Sequence, residues 1–320
     1  MTTIAAVHDL AGRIRLGLDQ VIIGQAVAKE RVLASLFAGG HVLLEGLPGT
    51  AKTLLALSLS RMIGCTFRRI QFTPDLMPVD LLGTNLFNPK LSEFSFLPGP
   101  VFTDVLLADE LNRTPPRTQS ALLEAMQERA VTIDGHRHQL SAAFFVIATQ
   151  NPIEFEGTYP LPEAQKDRFL ARVVISFPAP EEEISILRSY SQGRPLHEVA
   201  LHELRSVTDV PGIVMARQVV ATLVRVEEKL LTYIQAVVAA TREHAHLAAG
   251  AGPRAALALL SLARAQAVLR GRDFITPDDV KELSFGVLAH RLTLTPEAEM
   301  EGVELADVLE SIFTRIEVPR

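Results

Sequence analysis

The run Gly46-Leu47-Pro48-Gly49-Thr50-Ala51-Lys52-Thr53 has the residue types that hold a phosphate. Such a run works when a strand enters it and a helix leaves it. Backbone N–H groups and the helix N-terminus then face the anion, and the lysine neutralises the β- and γ-phosphate charge. The usual spelling is G-x-x-x-x-G-K-[ST], and Ala51 stands where its second fixed glycine belongs. Left-handed angles at Ala51 would cost about 1–2 kcal/mol. Right-handed angles at a helix start would cost nothing and would suit alanine. The rest of the loop is intact, so the second account is adopted. Gly46 and Gly49 supply the turn, Pro48 stiffens it, Thr50 completes it, and Lys52, Thr53 and Leu54 open the helix. The Thr53 hydroxyl is the natural ligand for Mg²⁺.

A second cluster follows in "VLLADE", an apolar run ending in Asp109 and Glu110. At the end of a neighbouring parallel strand, the first acid can hold the hydration shell of Mg²⁺ and the second can polarise an attacking water. Other chemistry-bearing residues are less telling. His136 and His138 share one face of a strand, but no acid or cysteine joins them at metal-ligand spacing. His244 and His246 fall in a helical stretch, on different faces. Cys65 reads as a small residue in or near the core.

These residues need elements to carry them. "HVLLE" (41–45) is a strand leading into the loop, and "AKTLLALSLSRMIG" the helix after it. "TFRRIQF" (66–72), "DVLLADE" (104–110), "AFFVIATQN" (143–151) and "RVVISF" (172–177) read as further strands. "PPRTQSALLEAMQER" (115–129) is a helix opened by prolines, and "EAQKDRF" (163–169) a short one. Stretches 84–102 and 130–141 read as hairpins, the second about Asp134-Gly135. Amphipathic lead-in helices precede the first strand, broken at Gly24. From about residue 181 helical periodicity continues through 315. Strands alternating with helices and then a helical tail predict a parallel α/β domain over 1–180 and an all-helical domain over 181–320.

Composition narrows the classes further. The 320 residues are 48 % hydrophobic and 21 % charged, a globular balance, with a net charge of −6 that provides no basic field for nucleic acid. One cysteine excludes an intramolecular disulfide framework and fits a reducing compartment. No secretory leader and no apolar run long enough to span a bilayer is present, so a cytoplasmic protein without membrane insertion is expected.

The segments "EGLPGTAKT", "QFTPDLMPVDLLG", "GPVFTDVLLADELNRTPPRTQSALLEAMQE", "VIATQNPIEFEGTYPLPEAQKDRF" and "GAGPRAALALLSLARAQA" together resemble the MoxR family of AAA+ ATPases, in family order over roughly residues 20–290. The family often carries alanine at the position of Ala51. The resemblance implies an AAA+ P-loop domain, with a parallel five-stranded sheet flanked by helices and two inserted hairpins, plus a small all-α lid. It implies ATP with Mg²⁺ as cofactor, hydrolysis to ADP and phosphate, and a homo-oligomeric ring, hexameric by family habit, with sites between subunits. Asn151 matches the sensor that positions the attacking water. Arg254 matches a lid arginine reaching the γ-phosphate of its own subunit. Arg168 matches the finger that enters the next subunit's site, with Arg113, Arg117 and Arg172 as competitors. Val21, Ile22 and Ile23 match the segment against adenine. Lys90, Phe94, His136 and Arg137 on the hairpins are candidate client contacts.

By the same resemblance the protein is a chaperone-like motor for remodelling, assembly or metal insertion, working with a separate partner that bears a von Willebrand factor A domain. Two alternatives stay open. Related helicases also have both hairpins, which admits a nucleic-acid motor, opposed by the net charge and the nearly uncharged hairpin tip. A slow nucleotide-gated switch is opposed by the presence of Asp109, Glu110 and Asn151.

Overall fold

The computed structural model describes residues 3–89, 92–152, 157–192 and 201–319. Its centre is a five-stranded parallel sheet of β1 (Val42–Gly46), β2 (Phe67–Gln71), β5 (Val105–Asp109), β8 (Phe145–Gln150) and β9 (Ala171–Ile175), in the spatial order β2-β5-β8-β1-β9. The three inner strands are almost wholly buried, which is why they read as continuous apolar runs rather than alternating ones. Alternate residues still go to opposite faces. Val42, Leu44, Leu107 and Ile147 join one core, while Leu43, Leu106, Ala108 and Ala148 join the other.

The first face is covered by α1 (Ile4–Val21), α2 (Ala26–Ala38) and α3 (Lys52–Ile63). The second is covered by α4 (Pro78–Leu82) and α5 (Pro116–Glu128). Two hairpins project from it, β3 (Gly83–Asn88) with β4 (Glu93–Pro98) and β6 (Ala130–Ile133) with β7 (His136–Gln139). They touch each other. The Phe96 and His138 rings stack at 4.0 Å, and Asn85 donates to Asp134 at 2.7 Å. Of the residues expected to face a client, Phe94, His136 and Arg137 are exposed; Lys90 lies outside the described residues.

After α6 (Glu163–Lys166) and β9, the chain continues through α7 (Pro180–Ser191), α8 (Val210–Leu223), α9 (Glu228–Glu243), α10 (Pro253–Leu269), α11 (Pro277–Leu288), α12 (Pro296–Met300) and α13 (Leu305–Arg315). The lid is mostly helical, with one correction: Leu247–Ala249 (β10) pairs antiparallel with Thr293–Leu294 (β11). The helix expected to carry His244 and His246 ends at Glu243, so both rings lie beyond it, 5.4 Å apart. Helices α8 and α10 pack on α1 and α2, and the lid's apolar residues belong to the same core as the first sheet face. Among the described residues no helix is long and apolar enough to cross a membrane.

Candidate nucleotide site

The loop leaves β1 at Gly46 and enters α3 at Lys52. A Cβ on Gly46 would lie 2.4 Å from the Ile175 carbonyl of β9, so glycine is required there for close approach. Gly49 has φ +82°. The Thr50 hydroxyl donates to the Leu47 carbonyl at 2.8 Å and closes the turn. The Lys52 ammonium donates to the Gly46 and Leu47 carbonyls at 2.6 and 2.8 Å. Burial lowers its pKa against the opposing pull of Asp109 and Glu110.

Ala51 departs from expectation. It has φ +65° and ψ +20°, the left-handed region, and its carbonyl accepts the Leu55 N–H as the helix begins. It is the residue that caps the helix rather than the first one inside it. The right-handed account is therefore overturned, and the loop carries about 1–2 kcal/mol of strain there.

Asp109 ends β5 and is fully engaged. Oδ2 accepts from Arg69 Nε and Nη2 at 3.1 and 2.7 Å, and Oδ1 accepts from Thr149 Oγ1 at 2.6 Å. Thr149 in turn accepts the Glu110 N–H at 2.9 Å. Glu110 itself has φ +56°, a left-handed backbone on a non-glycine residue. Its carboxylate accepts from Gln71 at 2.5 Å and pairs with Arg113 at 3.0 Å.

These parts meet in one hollow of about 410 Å³, lined by residues 48–54 of the loop, Arg69, Asp109, Glu110, Thr149, Gln150 and Asn151. A second hollow of about 300 Å³ shares Gly49, Thr50, Ala51 and Leu54 with it and adds Val21, Ile22, Ile23, Gln25, Pro178 and Ile186. One end is thus polar, with lysine and two acids, and the other apolar, which suits a triphosphate at one end and a planar base at the other.

The comparisons with known proteins agree. Residues 41–171 match the ATPase family associated with various cellular activities (AAA), and residues 239–312 match the AAA lid domain. The chain is 42 % identical to the Bacillus subtilis protein YeaC over 98 % of this chain and 96 % of that one. It is also 42 % identical to the chaperone MoxR1 of Mycobacterium tuberculosis, over 99 % of this chain and 84 % of that protein. A crystal structure of a Cytophaga hutchinsonii protein assigned as an ATPase superposes with a TM-score of 0.90 at 37 % identity, covering 99 % of this chain and 97 % of that one. The chain belongs to the MoxR family of AAA ATPases. It is an ATP-hydrolysing enzyme.

Not every arginine in this MoxR-type ATPase lies where expected. Arg254 does not line either hollow around the loop. It pairs with Asp167 at 3.5 Å and shares a separate cavity of about 260 Å³ with Arg168. The reading of Arg254 as reaching its own subunit's γ-phosphate does not fit this placement. Arg168 Nε is buried with no hydrogen-bond partner among the described residues. Its turn is pinned by the lid: Arg291 donates to the Asp167 carboxylate at 2.7 Å and to the Phe169 carbonyl at 2.7 Å. Among the competitors, Arg113 is paired with Glu110 and Arg172 with Glu45, both within the subunit, while Arg117 is exposed.

Sequence reasoning missed Arg69, Gln71 and Thr149 around the acids. Arg69 and Gln71 are two apart, on one face of β2, and register against Leu107 and Asp109. That spacing is visible in "FRRIQF", but its meaning depends on knowing that β2 lies beside β5. Pro178 and Ile186 at the apolar end were missed for a similar reason, being distant in sequence from Val21–Ile23.

Proposed function

We propose that the protein is a ring-forming ATPase whose sites are completed between subunits, and that it spends ATP on remodelling, assembling or loading metal into client proteins. The observation that carries this reading is the pairing of Arg168 and Arg254 in a cavity remote from their own loop. Two cations with no phosphate of their own to meet are suited to a neighbour's nucleotide, where they would stabilise transition-state charge. The ring is a homo-oligomer, a hexamer by family habit. The partner is a von Willebrand factor A protein that brings the client; the chaperone naming of the Mycobacterium relative supports a client, though it names no partner. The half-buried free thiol of Cys65, pushed up to about 12 by burial, suits a cytoplasmic, reducing setting.

Within one subunit the apolar hollow at Val21–Ile23 takes the base, and the loop N–H groups with Lys52 take the β- and γ-phosphates. Magnesium shared with a nucleotide needs only one or two protein oxygens. The Thr53 hydroxyl is such a donor on the hollow, and the Asp109 carboxylate joins it once its bonds to Arg69 or Thr149 loosen, so the residues fit the ion. Held there by Thr53 and Asp109, Mg²⁺ would supply charge stabilisation for the phosphoryl group being transferred. Glu110 accepts the proton of the water that attacks the γ-phosphorus, and Asn151 orients that water. For Glu110 to act, its hydrogen bond to Gln71 and its pair with Arg113 must loosen.

Mixing experiments test the shared site. Arg168→Ala and Lys52→Ala subunits should each be inactive alone, while mixtures regain turnover at interfaces that keep one intact loop and one intact arginine. Mixtures that stay inactive, together with a wild-type rate independent of assembly, would place the site within one subunit. The load is tested by capture on Glu110→Gln protein held in MgATP, with and without nuclease. A von Willebrand factor A protein retained through nuclease supports the chaperone reading. Replication or repair factors lost with nuclease would replace it with a nucleic-acid motor.

A further inference from the structure

β1 and β8 end at the phosphate hollow, and one polar cluster ties their last residues to each other and to the start of β9. Glu45 is the last residue of β1 before Gly46, Gln150 is the last of β8 before Asn151, and Arg172 lies on β9 four residues after Arg168. All three fall on the sheet face that also carries Leu43 and Ala148. The Glu45 side chain is 9 % exposed. Both of its oxygens are taken: Oε1 accepts from Gln150 Nε2, and Oε2 accepts from Arg172 Nε and pairs with Nη2.

A cluster of this kind gains little stability. Desolvating a carboxylate and a guanidinium offsets most of their attraction, and apolar residues of the same shape serve a core equally well. It does set geometry. The β1–β8 ladder runs up to the rung of Glu45 with Gln150, and Asn151 is the next residue beyond it. At that rung the Glu45 carboxylate adds a side-chain tie to Gln150, and on its other side it reaches back to Arg172, which stands opposite Leu43 on β9. Each tied residue is joined to a part of the site: Glu45 to the Gly46 carbonyl that Lys52 grips, Gln150 to Asn151, and Arg172 to the turn that presents Arg168.

We infer that Glu45, Gln150 and Arg172 are positioning residues for hydrolysis, clamping the end of β8 to the loop strand so that Asn151 holds the attacking water in line. The inference rests on the proposed role of Asn151 and deepens it. Arg172 is thereby a member of this clamp rather than a finger for a neighbouring subunit.

The test uses the full-length assembled protein with MgATP. Glu45→Gln keeps the shape and removes the charge, and Gln150→Ala leaves the ion pair in place should Glu45→Gln fold poorly. Expected are unchanged ATP affinity by fluorescent-nucleotide titration and a kcat lowered about ten- to a hundredfold, the usual cost of slight misplacement at a reacting centre. Affinity for ADP with aluminium fluoride, a mimic of the transferring phosphoryl group, should fall in parallel. Arg172→Lys should retain more activity than Arg172→Met. On an Asn151→Ala background, Glu45→Gln and Gln150→Ala should lower kcat no further, because the residue through which they act is gone. Losses that multiply on that background, or kcat and aluminium-fluoride affinity unchanged in both single variants, would overturn the inference. If Asn151→Ala itself turns over at the wild-type rate, the role of Asn151 fails first, and the clamp's catalytic meaning fails with it.

Discussion

At the phosphate end of the nucleotide site, Ala51 and Glu110 are the two described residues, outside the glycines, whose backbones sit at positive φ, +65° and +56°. Their strain has different consequences. At Ala51 a glycine would relieve it, since glycine adopts these angles freely. Ala51→Gly is therefore expected to raise the unfolding free energy by up to about 1 kcal/mol, partly offset by the greater freedom of glycine in the unfolded chain. Urea titration measures the difference, and a loss of more than that would mean the methyl group makes contacts that outweigh the strain. At Glu110 the left-handed turn swings the carboxylate away from the strand line toward Gln71 and Arg113. Glu110→Gln should retain ATP and lose turnover by about a hundredfold or more, because an amide cannot accept the water's proton. Single-turnover assays with labelled ATP would show it, and near-normal turnover would remove Glu110 as the base.

The elements around the site fall into two linked sets. Strands β1, β5 and β8 bring the loop, the acids and Asn151 to one end of the sheet because all three run parallel and end together. The hairpins form the other set, and their contact is specific: Phe96 lies over His138, with Phe102 edge-on to the same ring at 6.3 Å. Stacked ring pairs of this kind contribute about 0.5–1.5 kcal/mol beyond area burial. Phe96→Ala should uncouple the hairpins, so that amide exchange in β6 and β7 speeds up by about two- to tenfold while exchange in β1 and β8 stays unchanged. Uniform acceleration throughout the sheet would mean that Phe96 supports the whole domain rather than the hairpin junction.

At the scale of the whole molecule, lid and sheet share a core, and several ionisable groups are sealed inside it. His41 is buried between β8 and α5. Its Nδ1 accepts the Val146 N–H at 3.0 Å, so Nε2 carries the proton and donates to the Met126 carbonyl at 3.3 Å. Burial holds its pKa down to about 3, and burial beside Arg291 pushes His290 in the same direction. The unfolded chain binds these protons near pH 6.5 while the folded one does not, so stability rises with pH across the window and is lost as pH falls below about 6.5. Each such histidine contributes a slope approaching about 1.4 kcal/mol per pH unit well inside that range. Denaturant midpoints at pH 7.5 and 5 should show the loss. His41→Gln, which can accept and donate in the same places, should reduce it; a variant with the wild-type slope would assign the effect elsewhere.

What could be determined from the sequence was whatever is local in the chain or periodic along it. The strands 41–45 and 104–110, the proline-opened helix and both hairpins announce themselves through apolar runs, caps and turn residues. The loop and the acid pair Asp109-Glu110 are short contiguous motifs that carry their chemistry with them. Tertiary structure decided what depends on neighbours distant in sequence. It brought Arg69, Gln71 and Thr149 to the acids, and it tied Glu45 to Gln150 and Arg172 across three strands. It placed Arg254 beside Asp167 and Arg168 instead of at its own loop, because the lid helices pack on α1 and α2. It also set the backbone angles at Ala51. A lone alanine favours the right-handed region, but the turn that must carry β1 into α3 over a row of inward-facing N–H groups overrides that preference.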